Sequence, residues 1–167
     1  MAISMHAASV GVFDQMLKGL QGVLAKGEAW AEHRKIDPAV LLASRLAPDM
    51  FALTRQVQIA TDGIKGCVSR LAGVEIPKYE DIETSFGELR VRITNTSQFI
   101  NSLSIADIDA STEKPITITV QKNDLHFTGQ SYLLHWAWPN VSFHVTTAYA
   151  ILRHNGVDIG KRDYLGR

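Results

Sequence analysis

Histidine is the residue type in this chain best suited to chemistry near neutral pH, because its ring exchanges a proton there and its neutral form is a good metal ligand. The chain has six histidines, and two of them, His6 and His144, fall on helical apolar seams. His6 lies four residues before Val10, and His144 shares a stripe with Val141, Ala148 and Ile151. Both are expected to be buried or to line a cleft. Two imidazoles from different helices, joined by an amide oxygen and water, form a donor set for a borderline cation such as zinc or nickel. The same pair fits two plainer roles: each ring is hydrogen-bonded at the core margin, or His144 serves as a polar anchor or acid-base group in a metal-free pocket. His33, His126 and His154 fall at a helix end, on the outer face of a hairpin and in a last helical turn, where a solvated or dipole-complementing role suffices. Cys67 sits on a seam and reads as a small core residue rather than a nucleophile. Phosphate-binding glycine loops, GxSxG, HExxH and CxxC are all absent from the sequence, so no motif names a reaction.

The elements that must position these residues are helical. Val10, Phe13, Leu17, Leu20 and Leu24 recur at steps of three and four and predict a first helix over 4–33. Asp37-Pro38 starts a short helix through Leu42, and Pro48-Asp49 repeats the start signal for a second long helix that Gly73 closes. Its stripe is Met50, Leu53, Val57, Ala60, Ile64, Cys67 and Leu71, so Gly63 borders the inward face whereas Asp62 lies opposite. A third helix follows Pro77, with Glu80, Asp81 and Glu83 in its first turn and Ile82, Phe86, Leu89, Ile93, Thr96, Ile100 and Leu103 on its seam. Alternation then takes over: Ile116, Ile118 and Val120, a turn at Asn123-Asp124, and Leu125 with Phe127 predict a β-hairpin at about 115–129 that lays one apolar face on the helices. An aromatic stretch from Tyr132 to Trp138 follows, with Trp136 and Trp138 placed to line a pocket mouth or enter the core. Pro139-Asn140 opens the last long helix, which Asn155-Gly156 ends.

Seventeen basic residues balance seventeen acidic ones, which argues against nucleic acid or an anionic membrane as partner. No run approaches eighteen apolar residues, so no membrane span is expected. The single cysteine permits no internal disulfide, and MAISMHAASVGVFDQM lacks the basic start and apolar run of a signal peptide; a cytoplasmic location is the expectation. With 167 residues, 46% of them hydrophobic, one domain over 1–167 with one core is the simplest organisation.

Three segments, PNVSFHVTTAYAILRHNGVDIG, SRLAPDMFALTRQVQIATDGIKG and HAASVGVF, resemble the DUF1993 family of the DinB/YfiT-like superfamily. That resemblance covers nearly the whole chain. It implies an all-α, up-down-down-up four-helix bundle, often homodimeric, here with the hairpin inserted between helices 3 and 4. In the wider superfamily it also implies a divalent-metal site made by one histidine of the second helix and two, four residues apart, at the start of the fourth. His144 is the matching position for the last of these, twelve residues before Gly156, while Asn140 and Gly63 stand at the other two. Some superfamily members are metal-dependent transferases that use low-molecular-weight thiols. The sequence therefore carries two functional expectations. One is a small ligand bound by His6, Gly63, Trp136, Asn140 and His144 where the helix ends converge, with a degraded metal site, an absent one or an active one built on His6, Asn140 and His144. The other is a non-catalytic homodimeric module that buries leftover apolar residues such as Met16, Phe143 and Tyr149.

Overall fold

Apolar side chains at helical spacing drive four long helices together. They are α1 (Val12–Arg34), α3 (Leu53–Ala72), α4 (Phe86–Asn101) and α7 (Trp138–His154), in a computed structural model that describes residues 3–167. Phe13, Leu17, Leu20 and Leu24 of α1 meet Val57, Ile64, Cys67 and Leu71 of α3, Leu89, Ile93 and Ile100 of α4, and Val145, Ala148 and Ile151 of α7 in one buried cluster. Specific contacts fix the directions. The Trp138 indole donates to the Ala8 carbonyl at 3.0 Å and Leu152 packs on Gly27, so α1 and α7 run parallel. His144 meets Gln56 and Arg70 meets Tyr132, so α3 runs against α7. Arg90 pairs with Glu28 at 2.7 Å and Asn101 with Asp14 at 3.2 Å, so α4 runs against α1. The topology is up-down-down-up.

Short elements join these helices: α2 (Pro38–Ala43), capped by Asp37, and α5 (Ile105–Asp109), capped by Ser104. Strands β1 (Pro115–Val120) and β2 (Asn123–Thr128) pair antiparallel, and α6 (Gly129–Tyr132) and α8 (Lys161–Tyr164) follow them on either side of α7. The hairpin turn lies at Gln121-Lys122, both with positive φ, and not at Asn123-Asp124. Asp124 instead accepts a hydrogen bond from Thr119 across the strands at 2.7 Å. Because the side-chain period of a strand is two, this two-residue displacement leaves Ile116, Ile118, Leu125 and Phe127 on the face toward the helices.

Three helix starts differ from the sequence reading. The last helical path begins at Gly129 rather than Pro139, passing through a π-helical turn at Leu133–Ala137 before α7. Pro139 lacks an N–H and its ring would crowd the carbonyl four residues back; the wider turn just before it relieves that conflict. A second π-turn, Ala7–Gly11, leads into α1, and the Trp138–Ala8 hydrogen bond joins the two. The second long helix begins at Leu53, because Pro48–Met50 closes a separate turn and the Leu53 N–H goes to the Ser44 carbonyl at 2.9 Å.

The third difference has the largest energetic consequence. α4 begins only at Phe86, behind a Ser85–Glu88 capping box, and Glu80, Asp81 and Glu83 stay in the preceding strap, residues 74–85. They remain there because Arg92 of α4 is buried and draws them in. Its guanidinium donates to Thr61 Oγ1 at 2.8 Å, Asp62 at 2.7 Å, Glu83 at 2.9 Å and the Glu80 carbonyl at 3.1 Å, and it also pairs with Asp81. Burial alone would raise the Glu83 carboxyl, yet hydrogen bonds from Arg92 and Gln58 hold it below its ordinary value. Ile82, expected on the seam, points outward at 71% exposure. Removing Arg92 leaves the Glu83 carboxylate without a cation, held by Gln58 alone, while Asp62 keeps Lys65 and Asp81 keeps Arg55. Arg92→Met is expected to destabilise the chain by about 3 kcal/mol in urea unfolding; a loss under about 1 kcal/mol would mean that water replaces the guanidinium without penalty.

Candidate functional site

The α3 sequence Gly63-Ile64-Lys65-Gly66-Cys67-Val68-Ser69-Arg70 places Gly63, Gly66 and Arg70 on adjoining turns of one helix face. With no side chains at 63 and 66, Val141 of α7 and the Arg70 side chain approach that face closely. A Cβ at Gly66 would sit 2.9 Å from Arg70 Nη1, so glycine there lets the guanidinium fold back and donate to the Gly66 carbonyl at 2.9 Å. The antiparallel path 129–141 runs opposite, and its π-turn presents Trp136, Ala137 and, one turn on, Asn140. The hairpin closes the third side with Ile118, Thr119 and Val120. Together with Gly63, Arg70 and Tyr132 these residues enclose a cavity of about 220 Å³.

The cavity is chemically two-sided. Phe127 stacks at a tilt on both Tyr132 and Trp136, with ring centres 5.8 and 6.2 Å apart, which holds an aromatic wall in place. Arg70, half-buried, lies over the Tyr132 ring at 5.9 Å from its centroid, with Nη1 3.4 Å from the Tyr132 hydroxyl. Burial pushes the Tyr132 hydroxyl up to about 12, with the neighbouring Cys67 adding to the rise and Arg70 opposing it, so the group is neutral at physiological pH. Asn140 donates its amide to the Trp136 carbonyl at 2.8 Å and keeps its own oxygen uncommitted at the rim.

Of the residues singled out in the sequence, Gly63, Trp136 and Asn140 border this one cavity; His6 and His144 do not line it. The His144 ring Nδ1 lies 2.7 Å from Gln56 Oε1, and Gln56 in turn donates to the Phe51 carbonyl at 3.0 Å. An amide so oriented offers only its oxygen, so Nδ1 of His144 carries the proton and Nε2 holds the lone pair. Desolvation, then the nearby Arg55 charge, lowers the His144 pKa from its ordinary 6.5. His6 is anchored elsewhere, its backbone N–H donating to Asp109 of α5 at 2.7 Å. Since Ala8 abuts Trp138, the two histidines are offset along the bundle axis by on the order of 12 Å at 1.5 Å per residue.

That geometry tests the metal. Gly63 supplies no donor, Asn140 offers only a neutral amide oxygen at the rim, and His144 stands with an amide as neighbour. Among the described residues no three His, Cys, Asp or Glu side chains come together as a metal-binding group. The residues present do not fit the three-histidine centre that the superfamily resemblance implies.

A family model described as "Domain of unknown function (DUF1993)" matches residues 5–165. The chain belongs to the DUF1993 family. Its fold is close to a solved crystal structure of a DinB family member protein from Shewanella denitrificans, with 45% sequence identity, a TM-score of 0.89, and coverage of 97% of this chain and 92% of that one. No curated protein matches. No helix among the described residues is long and apolar enough to cross a membrane.

Two residues of this cavity, Arg70 and Tyr132, have no counterpart among the site residues expected from the sequence. Tyr132 lies in the flagged aromatic stretch, but its partnership with Arg70 spans 62 positions and no local pattern announces it. A larger concavity of about 970 Å³ is an open trough along α4 and the strap, beside Ile82, Glu88 and Val91, and contains none of the expected site residues. His144 supplies a direct check on the local geometry. Nitrogen-15 NMR is expected to show the Nδ1–H tautomer and a midpoint below 6.5. Because the folded state resists protonation, His144 leaves stability unchanged above the ordinary histidine value and subtracts from it as pH falls below that value. A midpoint at or above the ordinary value would contradict this environment.

Proposed function

We propose that this DUF1993 chain is a DinB-like small-molecule-binding protein whose ligand occupies the cavity of Gly63, Arg70, Tyr132, Trp136 and Asn140, without the three-histidine metal of the wider superfamily. One observation carries this reading. Two of the three helix positions that match superfamily ligands, Gly63 and Asn140, border a cavity furnished with an aromatic wall, a guanidinium and a neutral hydroxyl. A concave site that sets apolar walls beside a few convergent polar groups is the usual form of a small-molecule site. In this reading His144 and Gln56 brace the neighbouring turn of α3 against α7, and His6 ties the start of the first helix to α5.

Calorimetric titration of tag-free protein with zinc and nickel is expected to show no stoichiometric site, and the His144→Ala variant to behave alike. One tightly bound ion per chain, lost in His144→Ala, would favour the metal-dependent enzyme instead. A fragment screen read on the Trp136 indole N–H is expected to give ligands that shift this signal, with the shifts abolished by Gly63→Met, a bulky change at a residue that lines the cavity.

Homodimer formation is a second reading, favoured by one surface. Phe143 is 55% exposed on α7, and it lines a mainly apolar trough with Leu46, Pro139 and Ala150. Tyr149, by contrast, packs edge-on against Tyr164 of the C-terminal turn, and Met16 is packed against the core, so Phe143 is the available member of the three. Light scattering is expected to give twice the chain mass for the unmodified protein and the single-chain mass for Phe143→Glu. A monomer at high concentration removes this reading.

A further inference from the structure

Arg70 is the feature of the cavity that its surroundings leave incomplete. Among the described residues no carboxylate lies within 4.0 Å of its guanidinium, whereas Arg92 on the other side of α3 has three. A half-buried cation with no acidic partner is costly unless something supplies the countercharge. One face of the guanidinium lies over the Tyr132 ring, 5.9 Å from its centroid, and only one of its terminal nitrogens is engaged by hydrogen bonds, on the Gly66 carbonyl and the Tyr132 oxygen. The Tyr132 oxygen accepts that contact, which leaves the hydroxyl proton free to donate. Raised to about 12, the hydroxyl does not become a competing anion near neutrality. Asp124, on the hairpin that walls the cavity, accepts from Thr119 across the strands at 2.7 Å. Asp62, beside Gly63 in sequence, is committed to Arg92 and Lys65 on the far face of α3.

Resting on the small-ligand reading above, we propose that this cavity binds a small organic monocarboxylate with an aromatic or branched apolar body. Its carboxylate is held by Arg70 and the Tyr132 hydroxyl, and its body lies against Trp136, Ile118 and Val120. A planar guanidinium with free donors matches a carboxylate in geometry as well as in charge. The size class follows from the volume: about 220 Å³ falls below the roughly 300 Å³ at which drug-sized pockets begin. Asn140 Oδ1 at the rim adds an acceptor for a hydroxyl or amino group on the exposed end of the ligand.

The probes are phenylacetate and phenylacetamide, which share a shape and differ in charge, titrated into the unmodified full chain and followed by the Trp136 indole signal. Phenylacetate is expected to bind about tenfold more tightly than the amide, or better. Arg70→Met should bring that ratio close to one, and Tyr132→Phe, which keeps the ring, should weaken phenylacetate a few-fold. Equal affinity of acid and amide for the unmodified chain overturns the carboxylate assignment and leaves the pocket reading standing. No Trp136 response to either probe overturns both. The decisive comparison uses unmodified protein, so a folding defect in Arg70→Met does not remove the test.

Discussion

Helix α3 is buried along most of its length, and every polar group that it carries or meets must therefore find a partner inside the protein or surrender hydration for nothing. This constraint organises the molecule on both sides of the helix. Toward α4, the requirement is met by protein groups: Arg92 gathers Thr61, Asp62, Asp81 and Glu83, and the strap 74–85 is pulled over the bundle to deliver two of those carboxylates. Toward α7 and the hairpin, glycines at 63 and 66 let Val141 and the Arg70 side chain approach closely, and among the described residues that guanidinium meets a hydroxyl, a carbonyl and the Tyr132 ring but no acid.

The contrast between the two arginines explains why the fold is a sound frame for a ligand. The Arg92 cluster ties α3, α4 and the strap into one unit, and the paired π-turns, linked by the Trp138–Ala8 hydrogen bond, fix α1 against the helical path that bears Trp136 and Asn140. Between these rigid parts the hairpin lays Ile118 and Val120 over the remaining opening. The hairpin thus finds the packing that two strands need in water, and the cavity gains its third wall.

Much of this frame was legible in the sequence, and the reason is periodicity. The stripes through Val57, Ala60, Ile64 and Cys67, and through Val141, Ala148 and Ile151, are the buried faces observed, and the alternation through Ile116 and Ile118 gave the hairpin its inner face. Where reading failed, a long-range interaction overrode a local signal. Acidic residues before Phe86 look like a helix start, but Arg92 claims them; Pro139 looks like a helix start, but the π-turn admits it mid-path; Asn123-Asp124 looks like a turn, but Gln121-Lys122 takes the left-handed conformation. Gly63, Trp136 and Asn140 were legible as candidates from seam position, aromatic clustering and family resemblance. Arg70 was not, because what distinguishes it is a missing carboxylate, and that is a property of the folded surroundings.

The central claim is that the cavity on the α7 side of α3 is completed by an anion from outside the chain. A crystal structure of the protein grown with phenylacetate tests it most directly. The expected result is a carboxylate within hydrogen-bond distance of Arg70 and Tyr132, with the ring on Trp136. A ligand seated elsewhere, such as the trough along α4, or Arg70 closed onto a carboxylate of its own chain, would contradict it.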